Sequence, residues 1–396
     1  MDLGRYLDPG DGVWWGQAGA EATPLVDALL ETLPDGGVPV RAFCGLTVNP
    51  RLRTPPAGLA LRSYGALGEL RASPGLDVVP AHYSALPRLF AEGLLPTDVG
   101  LVQVSPPAPD GTCSLGIGAD YAADAVPHTR VLLGEVNHRM PRTAGTPGIP
   151  LERFAATVET DRPLAPVPDR APDAVDAAIA GHVAGLVEDG DTVQIGVGAL
   201  PTAILAGLAG HSDLGFHAGM LTTGVLRLVA QGVITGARKE IDPGLLVTGT
   251  AIGGEELYAR VPDLPVLFRP ASYTHDPGVL ARLRRLVAIN SALEVDLTGQ
   301  VGAESVGGRR LGAIGGQADF SGAAARTGAR SIIAVRAVVG GRSTIVASLS
   351  GPVTTARGDV DAVVTEHGVA HLRGCPESER ARRLRAIAAP EHREDL

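Results

Sequence analysis

Apolar residues follow two rhythms along the chain. Continuous runs at 98–104 (DVGLVQV), 130–136 (RVLLGEV), 331–337, 344–349 and 360–365 predict buried strands. Between them, stretches such as 171–187 and 377–388 read as helices. Strands alternating with helices predict α/β layers with mainly parallel sheet. A third pattern, Leu293-Glu294-Val295-Asp296-Leu297, places acids between apolar residues. That alternation is how a half-buried strand looks, with Glu294 and Asp296 facing water.

Two segments look like copies of each other. DGVWWGQAG (11–19) precedes a helix begun by Thr23-Pro24, and DTVQIGVG (191–198) precedes one begun by Pro201-Thr202. Asp11, Val13 and Gly16 match Asp191, Val193 and Gly196 at one constant offset. Each copy is a strand, a glycine turn and a proline near the helix start. The pattern predicts two tandem domains, 1–165 and 172–396, with the proline-rich stretch 161–172 as the linker. A chain of 396 residues fits two domains better than one simple core.

Composition narrows the class. With 45% hydrophobic and 19% charged residues, the chain reads as an ordinary soluble globular protein. Its net charge of -9 argues against a nucleic-acid surface. Lys239 is the one lysine, which leaves little room for Schiff-base chemistry. Three cysteines (Cys44, Cys113 and Cys375) suit a reducing compartment, and none has a partner at metal-ligand spacing. No signal peptide or membrane-length apolar run is evident, so the expected location is the cytoplasm and no membrane partner is expected.

Several residues carry candidate chemistry. Glu294 lies about twenty residues before a glycine-rich turn, Gly312 to Gln317 (GAIGGQ). A carboxylate nucleophile beside bare backbone N–H groups is what covalent acyl transfer needs. Spacing alone does not establish it, because glycine turns commonly just connect strands. Gly196, Val197 and Gly198 could cradle a phosphate or acyl group at a helix N-terminus, or simply let strand and helix pack tightly. They lack both the dinucleotide fingerprint and the phosphate-loop lysine. His217 has no ligand partner at metal spacing and reads as a core residue. Glu135 and Asn137 close a strand, where polar residues serve an α/β crevice or satisfy loop backbone. The run Arg380, Arg382, Arg383 and Arg385 reads as a solvated helix face, with an anionic cofactor tail as the minor option.

Taken together, QIGVGALP (194–201), AINSALEVDLTGQ (288–300), GGQADF (315–320), VVTEHGVA (363–370), Leu372-Arg373-Gly374 and PEHRE (390–394) resemble the acetyl-CoA hydrolase/transferase family. This family includes 4-hydroxybutyrate CoA-transferases and belongs to the family I CoA-transferases. VQVSPP (102–107), Asp110-Gly111 and EVNHRMP (135–141) extend the likeness into the N-terminal half. The resemblance implies two tandem α/β domains of the NagB/RpiA/CoA-transferase-like type, with the active site between them. It implies Glu294 as nucleophile and the Gly315-Gly316 turn, with Gln317, as the thioester or oxyanion site. Asn290, His217, Glu135 and Asn137 become candidate pocket residues. No tightly bound cofactor or metal is implied. Coenzyme A enters as acyl-CoA substrate beside a small carboxylic acid, and the working form is a homodimer.

Departures from the family pattern mark the substrate pocket. After the histidine matching His217, relatives often carry Thr-Glu, and this chain has Ala218-Gly219. His275 stands in an Asn-Asp-Pro position, Thr344 in a Ser-Arg-Ile position and His367 where a tyrosine is usual. The leading expectation is a CoA-transferase working through a glutamyl-CoA thioester. The alternatives are an acyl-CoA hydrolase with the same nucleophile, to which the small Ala218-Gly219 pair could admit water, and a diverged acyl-CoA-binding protein without turnover. A phosphosugar isomerase on a related fold fits the motifs less well.

Overall fold

A computed structural model of the chain describes residues 1–33, 39–167 and 170–396. Two compact units divide it: Met1–Pro168 with Val247–Thr274, and Asp169–Leu246 with His275–Leu396. The second unit is therefore built from two stretches of chain rather than the single run 172–396. Positions 168 and 169 of the expected linker lie outside the described residues.

The first unit is organised by a seven-stranded sheet. Its strands are β1 (Gly12–Trp15), β2 (Val40–Phe43), β3 (Leu59–Ser63), β4 (Asp77–Val78), β5 (Val99–Val104), β6 (Val131–Asn137) and β7 (Phe154–Thr160), in the order β4-β3-β2-β1-β5-β6-β7. Every pairing is parallel. β5 is buried at all six positions, which is why its sequence is a continuous apolar run rather than an alternation. Helix α1 (Thr23–Thr32) carries Pro24 in its first turn, where a missing N–H costs nothing. Leu25, Val26 and Leu29 of α1 close one core over Val13, Leu61, Leu101 and Leu133.

The second unit repeats the plan. After α2 (Ala174–Ala184) come β8 (Thr192–Ile195), α3 (Ala199–Gly207), β9 (Gly215–Phe216) and β10 (Leu286–Ser291). A small side sheet joins β11 (Glu294–Asp296), β12 (Val301–Gly302) and, later, β14 (Ile345–Val346). The main sheet resumes with α4 (Gln317–Thr327), β13 (Arg330–Ala334), β15 (Ala362–Thr365) and β16 (Gly368–His371), before α5 (Glu377–Ile387). Its order is β9-β8-β10-β13-β15-β16, parallel except for the last pair. The α/β class with mainly parallel sheets is as expected.

Two expectations change. The strand expected over 344–349 is paired only at Ile345–Val346, because the chain then turns away from the ladder. Of the four arginines expected on a solvated face of α5, Arg382 and Arg385 are exposed, but Arg380 and Arg383 are not merely solvated. Arg380 donates to the carbonyls of Thr298 and Arg357, and Arg383 donates to that of His371, so they satisfy backbone acceptors of neighbouring turns.

Candidate active site

In the second unit β8 leads through α3 to β9 on one side, whereas β10 leads through α4 to β13 on the other. The chain thus changes direction between β8 and β10, and open α/β sheets form their crevice at such a point, beyond the strand carboxyl ends. Gln194 on β8 and Asn290 on β10 clasp each other there through two amide hydrogen bonds of 3.3 Å. Asn290 also reaches Ser321 of α4 at 3.5 Å. The Gly196–Gly198 loop follows β8 and begins α3. Gly198 caps this helix at φ 130°, a conformation that only glycine adopts readily, and Val197 is exposed.

The alternation at 293–297 folds as a strand, but both acids are buried, Glu294 at 8% and Asp296 at 4% exposure. Val295 points the other way into a core with Val301, Ile333 and Ile345. The expectation that the acids face water is thus overturned, because this strand is covered on both faces.

The two carboxylates are treated differently. Asp296 accepts from Thr298 N (2.9 Å), Thr298 Oγ1 (2.6 Å), Gln300 N (3.1 Å) and Gln300 Nε2 (3.0 Å), so its own tight turn saturates it. Among the described residues, Glu294 is bonded by Ser350, whose N–H reaches Oε2 at 2.8 Å and whose hydroxyl lies 2.9 Å from both oxygens. Ser350 is exposed and sits on the segment that leaves β14. Sequence reading missed it, since it lies 56 residues from Glu294 and forms no local motif.

The glycine turn places Gly315 at φ 53° and Gly316 as the N-cap of α4. First-turn N–H groups of a helix have no acceptor within it, so this end of α4 presents donors and partial positive charge. Gln317 Nε2 donates to Thr355 Oγ1 at 3.1 Å, and Thr355 exchanges backbone hydrogen bonds with Val301, the β12 partner of Val295. The turn and the Glu294 strand are thereby tied into one framework.

His217 directly follows β9 with its N–H on the Val193 carbonyl, and it is fully buried. It lies beside His275, whose imidazole is pushed down to about 3 by burial and, secondarily, by the field of His217. His275 is thus neutral at physiological pH. Positions 219 and 275, both departures from the family pattern, are in contact: a Cβ on Gly219 would stand 2.9 Å from His275 Cε1.

Glu135 and Asn137 belong to the first unit and are engaged there. Glu135 is fully buried and bound by Arg162 at 2.6 and 2.8 Å and by Thr160 at 2.7 Å. Asn137 bonds Gln103 at 2.8 Å and the Arg162 carbonyl at 3.0 Å. Among the described residues, no group of three or more His, Cys, Asp or Glu side chains is arranged to hold a metal ion, and no helix is long and apolar enough to cross a membrane.

Comparison with known proteins matches this geometry to a family. The model of the acetyl-CoA hydrolase/transferase N-terminal domain matches residues 74–168, and that of the C-terminal domain matches residues 253–396. The chain is 39% identical to the 4-hydroxybutyrate coenzyme A transferase of Clostridium kluyveri over 326 residues, which cover 81% of this chain and 76% of that one. It is 35% identical to a succinyl-CoA:acetate/propanoyl-CoA:succinate CoA transferase of Fasciola hepatica, covering 81% and 69%. The crystal structure of RipA from Yersinia pestis superposes with a TM-score of 0.90 at 32% identity, covering 98% of this chain and 93% of that one.

Proposed function

The chain belongs to the acetyl-CoA hydrolase/transferase family and is a CoA-transferase, and from that premise we propose that it exchanges CoA between an acyl-CoA and a small carboxylic acid through a glutamyl-CoA thioester at Glu294. The observation that carries the reading is the contrast between the two acids of one strand. Asp296 is saturated by its turn, whereas Glu294 is held, among the described residues, by the exposed Ser350.

A carboxylate nucleophile carries no proton that a separate activating base must remove during attack. A Glu294 oxygen attacks the thioester carbonyl, the C–S bond breaks, and an acyl-glutamyl anhydride forms with free CoA thiolate. The thiolate attacks the glutamyl carbonyl, which releases the first acid as carboxylate and leaves glutamyl-CoA. The second acid attacks that thioester, giving a new anhydride and thiolate. Attack of the thiolate on the new acyl carbonyl then frees the product acyl-CoA and regenerates Glu294. No net proton is consumed.

Ser350 orients the attacking carboxylate. N–H groups at Gly315, Gly316 and Gln317 receive the oxyanion, where one donor is typically worth about 3–4 kcal/mol. Gly196, Val197 and Gly198, at the start of α3, fit an anionic portion of CoA. Asn290 and His217 form the floor of the pocket, whereas Glu135 and Asn137 are held by partners within the first unit. The functional form is a homodimer in the cytoplasm, readable by sedimentation velocity and cell fractionation.

Hydrolysis by the same nucleophile is the second reading, motivated by the small Ala218-Gly219 pair. The ring of His275 occupies the space against Gly219, which favours transfer over admission of water. The deciding experiment incubates the protein with acyl-CoA, traps with borohydride or hydroxylamine and digests for mass spectrometry. Modification at Glu294 is expected, and an unmodified Glu294 in a turning-over enzyme sinks the reading. Thiol release that depends on added carboxylate marks a transferase; equal release without acceptor marks a hydrolase.

A further inference from the structure

We propose that His275 is a specificity-determining residue that limits acyl length at the Gly315–Gly316 turn. The inference rests on the reading of that turn as the seat of the thioester carbonyl.

Its argument is steric. The imidazole is 4% exposed and wedged between glycines of two different segments. A Cβ on Gly316 would meet His275 Nε2 at 2.4 Å and Cδ2 at 2.6 Å, and one on Gly219 would meet Cε1 at 2.9 Å and Nε2 at 3.1 Å. Separations under 3 Å are not sustained by real side chains, so both positions require glycine while the ring stands where it does. Phe320 closes a third side edge-on, its centroid 5.1 Å from that of the imidazole. Phe320 rides on α4, the helix that Gly316 caps, so ring, turn and helix move together.

With both glycines bare, the imidazole stands against the backbone of the turn at Gly316, nearer than Phe320. An acyl chain whose carbonyl sits at the turn and runs past Gly316 ends against it. The ring is neutral at working pH, so its contribution is shape rather than charge or proton transfer. Apolar pockets discriminate single methylenes by roughly tenfold or more, so one fixed ring is enough to set a length limit.

The test compares kcat and KM for acetyl-, butyryl- and hexanoyl-CoA with one fixed acceptor acid. In His275→Asn, kcat/KM for hexanoyl-CoA relative to acetyl-CoA is expected to rise at least about tenfold, mainly through KM. His275→Gln, which retains length, is expected to stay within about threefold of wild type by the same scale. Thermal unfolding checks both variants. Should His275→Asn fail to fold, Gly219→Ala carries the test: its methyl presses on the ring, and a lowered butyryl-to-acetyl ratio supports the proposal while an unchanged ratio overturns it. A folded His275→Asn with the wild-type chain-length ratio also overturns it. Glu294→Gln run in parallel separates the two readings. Exchange surviving in that variant removes the nucleophile assignment, whereas its loss together with an unchanged ratio in His275→Asn removes only this proposal.

Discussion

Asp11 in the first unit accepts the Asp8 amide at 2.8 Å and pairs with Arg130, just before β6. Asp191 in the second accepts the Glu188 amide at 2.8 Å and pairs with Arg330, at the start of β13. β6 and β13 hold the same place in their sheets, two strands from β1 and β8 respectively. At this amino end the two units are built alike. At the carboxyl end they part. The first unit fills its crevice with its own side chains: the Gln17 amide donates to Asp120 (2.7 Å) and Tyr83 (3.0 Å) and accepts from Tyr64 (2.8 Å) and the Leu46 N–H (3.0 Å). The second unit puts glycine turns there, and among the described residues Glu294 is held by the exposed Ser350. One scaffold thus serves two ends: where polar groups saturate one another the crevice is a brace, and where they do not, a carboxylate stays available for chemistry.

The strongest way to break this contrast is Glu294→Gln. It keeps the Ser350 hydrogen bond possible but removes the proposed nucleophile, and exchange is expected to fall at least about a thousandfold with the unfolding temperature little changed. Exchange within tenfold of wild type would end the idea that the second crevice is the reactive one. The matching change in the first unit is Gln17→Leu. It removes the amide that Asp120, Tyr64 and Tyr83 share, and losing a partner of a buried polar group costs about 1–3 kcal/mol. A loss of about 3 kcal/mol in denaturant unfolding is expected. A Gln17→Leu protein of wild-type stability would show that the network is not a brace.

How far sequence reached depends on the distance between partners. The copied strand–turn–helix was legible because Asp11, Val13 and Gly16 recur at one offset within a few residues. The arginines that complete the likeness were not, since Arg130 lies 119 residues from Asp11 and Arg330 lies 139 from Asp191. Glu294 stood out through its resemblance to a family motif; alternation alone assigned it and Asp296 to solvent. What separates the two acids is a turn written locally, Thr298 to Gln300, and a serine written far away. The return of Val247–Thr274 to the first unit was likewise invisible, because its ties, such as Thr250 to the Ile117 carbonyl, span 133 residues. Contacts across such separations leave no periodic trace in a single sequence.

A subtler difference between the units is their response to pH. Burial pushes the Glu21 carboxyl up to about 7 and that of Asp120 up to about 6. Both folded-state values lie above those of an unfolded chain, so over that range the native state holds more protons. The stabilisation is complete below about pH 4 and is lost as pH rises through 6 to 7. Unfolding free energy is expected to drop on the order of 3 kcal/mol between pH 4.5 and 7.5 from Glu21 alone. Glu21→Gln, neutral throughout, should flatten that slope. A slope unchanged in the variant would mean that Glu21 does not titrate in the interval.

The smallest expected effect is the most informative about the second crevice. Ser350→Ala deletes the hydroxyl that lies 2.9 Å from both Glu294 oxygens but keeps the N–H at 2.8 Å. If Ser350 only shields a resting carboxylate, losing the hydroxyl makes Glu294 more nucleophilic and kcat rises. If it aims the carboxylate, the side chain gains freedom and kcat falls about tenfold, near 1.4 kcal/mol, with KM for acyl-CoA little changed. The second outcome is expected, because the N–H and hydroxyl of one residue fix the carboxylate plane with two donors, and orientation of the attacking atom is a larger lever than its basicity. The exposure of Ser350 matters here. A serine at the surface of a loop can yield as substrate enters, whereas the Gln17 amide, locked by four partners, cannot. A kcat of wild-type size in Ser350→Ala would leave Glu294 aimed by its own strand and make the serine a bystander.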